Sequence, residues 1–381
     1  MKILYDPQIF TIQKFGGISR YFVELIEGMV KKGEDVTLPL HSTCNSYLKN
    51  SKCIQEYLHK RIFNGKHKDS SIRSIQYELK RKIEDKLKNY GIPDSNQRVY
   101  INALKNGTYD LVHPTYYDPY FYRYIGKLPY VLTVYDMINE KFPDYFANDS
   151  TILKKKYLAE RASIIIAISE STKNDIVDIL GIPEERIQVI HLASSLKKYE
   201  DKITLKLPQK YLLYTGLRNY YKNFKLFVEA VTPLLIEMKM HLVCTGIKFT
   251  KSEMSYLEDF HISDRIINIC ASDSELAMLY TNAAAFVFPS VYEGFGIPIL
   301  EAFNCGCPAI VSNINCFKEV ASDAAEYFDP FDKVSMYNAI AKVIECPDHR
   351  QKLISRGYKR GALFSWKKVV EETEKVYKSV L

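Results

Sequence analysis

The sequence predicts an α/β protein built from two tandem domains, each on a parallel sheet. Three observations carry this expectation. Short β-rich runs, apolar on both faces, alternate with amphipathic segments along the chain, the pattern of strands covered by helices on either side. The order strand, glycine turn, helix opens the chain and returns after residue 210. The length, 381 residues, suits two domains that each bury a core.

The elements follow in order. Lys2–Tyr5 is a strand, Phe15-Gly16-Gly17-Ile18-Ser19 a glycine loop, and Arg20 to Val30 a helix. Ile72, Ile75, Leu79, Ile83, Leu87 and Tyr90 recur at helical spacing over 70–90, with Lys and Arg opposite, which predicts a basic amphipathic helix. Tyr130–Tyr135 and Ser163–Ile168 read as buried strands. The stretch Ser194–Pro208 is charged, lacks a period and ends in proline, so it is the expected domain break. The domains expected are therefore 1–197, 206–365 and a terminal helix over 366–381. Strands follow at Tyr211–Thr215, His241–Thr245, Ala284–Pro289 and Pro308–Ser312, with a helix from about Asn223. Ser365 caps the last helix, whose stripe is Val369, Val370, Thr373, Val376, Tyr377 and Val380.

Composition excludes several classes. With 47% hydrophobic and 25% charged residues, the chain is not predominantly disordered. The net charge of +7 is too mild to signal nucleic acid. It is concentrated, however: residues 52–88 hold 11 Lys/Arg against five Asp/Glu. Residues 52–90 are thus either a solvated helix docked on the first domain or a peripheral contact with an anionic membrane. The eight cysteines have neither C-x-x-C spacing nor a histidine cluster, so no zinc site and no disulfide framework are expected. Cys244 and Cys270 read as small core residues. There is no signal-like segment and no apolar run near 20 residues, so the expected location is cytoplasmic, peripheral at most. Walker A, H-E-x-x-H, G-x-S-x-G and complete G-x-G-x-x-G motifs are all absent.

The stretch from Phe286 to Asn313 carries the chemistry. A buried strand runs into Ser290-Val291-Tyr292-Glu293-Gly294-Phe295-Gly296, and Pro298 suits the first turn of a helix. Ligands of open α/β sheets sit at the carboxyl ends of strands. This loop delivers a helix start, which favours phosphate, and two carboxylates, Glu293 and Glu301, suited to sugar hydroxyls. After Tyr214, the loop Thr215-Gly216-Leu217-Arg218-Asn219-Tyr220-Tyr221-Lys222-Asn223 supplies two cations for a diphosphate.

Together these residues resemble a family 4 retaining glycosyltransferase of the GT-B fold. The E-x7-E motif is Glu293 to Glu301, and Gly-x-Arg-x-x-x-Lys-Asn is Gly216 to Asn223. The glycine loop is Gly16-Gly17-Ile18-Ser19-Arg20-Tyr21. Ile166-Ala167-Ile168-Ser169-Glu170-Ser171-Thr172-Lys173, Gly181 to Ile187 and Phe364-Ser365-Trp366 also fit, so the resemblance spans essentially the whole chain.

The resemblance implies two Rossmann-like domains with a cleft between them and a C-terminal helix crossing back. The second domain would hold a nucleotide-diphosphate sugar, GDP-mannose or a UDP-sugar, and the first a glycan or lipid-linked acceptor in surface polysaccharide synthesis. Glu301 would bind ribose hydroxyls. Glu293 and the backbone of Gly294, Phe295, Gly296 and Ile297 would contact the donor sugar. Arg218 and Lys222 would neutralise the leaving diphosphate, with Gly216 and Gly17 bringing backbone close. No metal and no cofactor are implied, because cations and a helix dipole take that role. The family's Thr-Val-His-Asp reads Thr133-Val134-Tyr135-Asp136 here, and tyrosine cannot do the histidine's proton work. Asp136 either orients an acceptor hydroxyl or caps a helix, and His113 is either an acceptor-side residue or a structural hydrogen-bonder. The alternatives are another GT-B enzyme, such as a nucleotide-sugar epimerase, or a non-catalytic nucleotide-sugar binder.

Overall fold

The computed structural model describes residues 1–62, 93–147, 149–200 and 205–381. The basic helix expected over 70–90 therefore lies outside the described residues. Contacts divide the chain into two units. One comprises Met1–Ile168, Thr172–Ile190 and Trp366–Leu381; the other comprises Ser169–Ser171 and His191–Ser365.

In the first unit, β1 (Lys2–Tyr5) lies between β2 (Asp35–Thr37) and β3 (Leu111–His113), all parallel. A second parallel group orders β4 (Val131–Val134), β5 (Ile164–Ala167) and β6 (Ile187–Val189). Among the described residues, one parallel bridge, Val112 with Tyr130, connects the two groups. The residues of β1, β3 and β4 are nearly all buried, as strands covered on both faces must be. The helix Gly17–Lys31 buries Tyr21, Phe22, Leu25, Ile26 and Met29. The terminal helix Trp366–Ser379 packs on it so closely that a side chain at Gly28 would collide with Val370.

The second unit is one six-stranded parallel sheet. Its strands are β7 (Tyr211–Thr215), β8 (His241–Thr245), β9 (Ile266–Ile269), β10 (Ala285–Phe288), β11 (Ala309–Ser312) and β12 (Ala325–Phe328). The order is β12-β11-β10-β7-β8-β9. The chain starts in the middle, winds outward to β9, then returns beside β7 at β10. Strands β7 and β10 are thus neighbours at the switch point, with Ala285 opposite Leu212 and Phe286 opposite Leu213. The core is the inner residues of these strands against Phe227, Val231, Leu234 and Leu235 of the helix Phe224–Glu237.

One expectation is corrected. Cys244 is buried in β8, but Cys270 is exposed. It follows β9, the edge strand of the sheet, whose residues are all only half-buried.

Candidate functional site

The carboxyl ends of β7 and β10 open into the two loops that carry the motif residues, and the backbone joins these loops directly. Val291 N–H donates to the carbonyl of Tyr221 at 2.8 Å. This contact brings Lys222 and Glu293 together, with Lys222 Nζ 2.5 Å from Glu293 Oε1. The two side chains are 16% and 11% exposed, so the pair sits in a partly dried site where charge acts strongly. Ser290 Oγ donates to the same carboxylate oxygen at 2.7 Å.

The helix Ile297–Asn304 begins directly after this loop, with Pro298 in its first turn. Gly296, at its cap, has φ +110, and a side chain there would press on Phe317 and Ile299 at 3.0–3.2 Å. The position requires glycine on both counts. The Gly294 carbonyl accepts from Ser169 Oγ at 2.6 Å. The Phe295 side chain is buried, packing near His191 and Phe364. What Phe295 offers a ligand is therefore its backbone. One turn into the helix, Glu301 is 9% exposed. Its Oε2 accepts from Tyr280 Oη at 3.1 Å, and that hydroxyl lies 3.3 Å from Thr215 Oγ1.

Arg218 is placed differently from Lys222. Its Nε donates to Glu253 Oε1 at 2.8 Å and its Nη2 to the Lys248 carbonyl at 3.1 Å. The guanidinium carbon lies 4.0 Å from the centre of the Phe249 ring. Burial pushes the Glu253 carboxyl up, but the bonds from Arg218 and Thr250 outweigh it and hold it below the ordinary range. Gly216 opens this loop at φ +109.

In the first unit, the structure removes His113 from acceptor contact. It is fully buried. Its Nδ1 pairs with Tyr377 Oη at 2.5 Å and its Nε2 with Thr133 Oγ1 at 2.9 Å, so neither ring nitrogen is left for a ligand. Burial drops its pKa to about 3, so the ring stays neutral. Tyr135 is 6% exposed and its hydroxyl has no hydrogen-bond partner among the described residues. Burial holds that phenol well above its ordinary pKa, and it titrates nowhere near neutrality. Asp136 Oδ1 accepts at 3.1 Å from the N–H of Ile138, the first residue of the short helix Ile138–Lys141, whose cap position is Met137. The buried Lys155 ammonium bonds the Asp136 carbonyl and Glu140, both at 2.9 Å. Gly17 is exposed at the start of its helix.

Sequence reasoning missed Ser290, Tyr280 and Glu253. Glu253 alone had a local signal: Thr250-x-x-Glu253 is a capping box. Among the described residues, no three His, Cys, Asp or Glu side chains converge as metal ligands would.

Two family models match the chain. One described as Glycosyltransferase Family 4 covers residues 15–194, and one described as Glycosyl transferases group 1 covers residues 196–360. The O-antigen chain mannosyltransferase B of Escherichia coli is 29% identical over 280 residues, 69% of this chain and 74% of that protein. The O-antigen chain mannosyltransferase RfbU of Salmonella typhimurium is 30% identical over 219 residues, 57% of this chain and 61% of that protein. Among solved structures, the sucrose-phosphate synthase from Thermosynechococcus elongatus matches with a TM-score of 0.73 at 17% identity, covering 100% of this chain and 99% of that one. WaaG, a glycosyltransferase involved in lipopolysaccharide biosynthesis, matches at 0.64 and 13% identity, covering 98% and 99%. At such identities these two likenesses speak for the fold alone.

Proposed function

This chain belongs to glycosyltransferase family 4, with the GT-B fold, and on that premise we propose that it moves a hexose, with retention, from a nucleotide-diphosphate sugar to a glycan or lipid-linked acceptor during surface polysaccharide synthesis. The O-antigen mannosyltransferases among its relatives favour mannose, hence GDP-mannose, ahead of a UDP-sugar.

The observation that carries this reading is the Lys222–Glu293 pair, set where β7 and β10 meet and beside the Gly296 helix start. A diphosphate laid on that edge meets an ammonium and a helix N-terminus, both matched to its charge. As the C1–O bond to the diphosphate breaks, the leaving group gains negative charge that Lys222 stabilises, and Arg218 adds a second cation. The acceptor hydroxyl bonds to C1 on the face the diphosphate leaves, and its proton passes to a diphosphate oxygen. Glu293, on the sugar side of the ammonium, stabilises positive charge developing at C1. Glu301, one turn into the helix, takes the ribose hydroxyls. Metal is not required in this scheme.

No helix among the described residues is long and apolar enough to cross a membrane. The excess of Lys and Arg over 52–88 supports an anionic, phosphate-bearing acceptor or a peripheral lipid contact. Incubation with a panel of nucleotide sugars and cell-envelope lipid extract tests the function. Release of GDP from GDP-mannose, abolished in a Glu293→Ala chain that still folds, is expected. No turnover with any donor, or full turnover in Glu293→Ala, would refute the assignment.

A further inference from the structure

Arg218 is 1% exposed at its side chain, yet it sits on a loop. A long side chain with many rotamers is held this way only if several neighbours fix it. Three do. Glu253 takes Nε, the Lys248 carbonyl takes Nη2, and Phe249 lies under the plane. Both oxygens of Glu253 are engaged. Oε1 receives Arg218 Nε, while Oε2 receives the backbone N–H of Thr250 at 2.7 Å, closing the capping box of the helix Lys251–Asp259, and also Arg218 Nη2 at 3.5 Å. The remaining nitrogen, Nη1, is buried and has no hydrogen-bond partner among the described residues. Such a donor is costly to leave unmade and is filled when an acceptor arrives.

The backbone brings these parts within reach. Gly216 ends β7 and Gly246 ends β8, and a side chain at Gly246, where φ is +117, would stand 3.0 Å from the Gly216 carbonyl. Only glycine there lets the 246–253 loop lie against the loop of Arg218.

We propose that Glu253, with Phe249 and the Lys248 carbonyl, is a positioning residue that holds one edge of Arg218 so that Nη1 is kept for an oxygen of the donor diphosphate. This rests on the donor-site reading given above. The carboxylate does not touch the substrate. It fixes the guanidinium before the donor arrives, so little ordering is left to binding.

The test is calorimetric titration of the full chain with GDP and with UDP, alongside donor kinetics. Glu253→Gln keeps the capping box, since glutamine serves there too, but turns an amide N–H₂ towards Arg218. It is expected to weaken binding of the nucleoside diphosphate about tenfold, the range seen when an outer partner of a ligand group is lost. In an Arg218→Ala background the same change is expected to shift affinity less than twofold, because Glu253 acts through Arg218. Thr250→Ala, which breaks the cap alone, is expected to lower the melting temperature and leave affinity within twofold. If Glu253→Gln melts below the assay temperature, Phe249→Leu removes the opposite support and is expected to weaken binding several-fold. Unchanged or tighter binding in Glu253→Gln, or an equal loss without Arg218, would overturn the proposal while leaving the donor site standing. A wild-type chain that binds neither GDP nor UDP would overturn the donor-site reading, and this proposal with it.

Discussion

Replacing Lys222 by methionine separates the two jobs of the Lys222–Glu293 pair. Methionine keeps the apolar stem against the Phe288 ring, 5.6 Å from the ammonium in the native chain, and deletes only the charge. Glu293, 11% exposed in the native chain, then loses its counter-ion and keeps the Ser290 hydroxyl at 2.7 Å. Stranding a fully buried charge costs about 3–5 kcal/mol; residual exposure of 16% and 11% reduces this to about 2 kcal/mol here. In a unit of this size that lowers the melting temperature by roughly 4–8 °C. The catalytic loss is separate. Removing one preorganised donor to developing negative charge costs about 100- to 1,000-fold in kcat. The double variant Lys222→Met/Glu293→Gln removes the stranded charge, so it is expected to regain most of the melting temperature and none of the transfer. Differential scanning fluorimetry and initial-rate transfer read the two effects independently. A Lys222→Met enzyme that transfers within threefold of wild type, or a double variant that recovers activity with stability, would show that Lys222 does not stabilise the leaving diphosphate.

Three further outcomes follow from the structure. Burial raises the pKa of Asp6, from 3.8 to about 6, so between those values the folded chain keeps a proton that the unfolded chain has lost. Its contribution to stability therefore falls as pH rises through that window, by about 3 kcal/mol; urea melts of Asp6→Asn against wild type should show the difference growing from pH 4 to 7, and a constant difference would contradict this. His113 runs the other way, since below pH 6.5 the unfolded chain takes up a proton that the folded one refuses until about 3, so stability falls as pH drops from 6.5 towards 3 and His113→Asn should flatten that limb. Tyr280→Phe deletes the hydroxyl that Glu301 accepts from at 3.1 Å and is expected to cost about 1–2 kcal/mol, read as a roughly five- to thirtyfold weaker nucleoside diphosphate titration; unaltered affinity would disconnect Tyr280 from the site.

The sheet was legible because its strands are short, apolar on both sides and bounded by punctuation. Tyr211–Thr215 and His241–Thr245 stand where their β-rich runs place them, and Pro298 and Gly306 bracket the helix between β10 and β11. Edge position is not written in such a run, and so Cys270, beyond the edge strand β9, was misread as core. Local motifs single out Glu293, Glu301, Arg218 and Lys222 as candidates, but do not tell what each side chain meets. Arg218 and Lys222 are four residues apart, yet one meets Glu253 and the other Glu293, because the turn Tyr220–Lys222 lies between them and the neighbouring strands choose their partners. His113 was legible as a strand end. Its burial depends on Tyr377, 264 residues away on the terminal helix, and no local pattern carries that.

The donor diphosphate is expected at the carboxyl edge of β7 and β10. A crystal structure of the chain soaked with GDP or UDP measures it most directly. The diphosphate is expected within hydrogen-bond distance, about 3 Å, of Lys222 Nζ, with the ribose hydroxyls on Glu301. A nucleotide bound elsewhere on the chain, or one whose diphosphate contacts neither Lys222 nor Arg218, would contradict it.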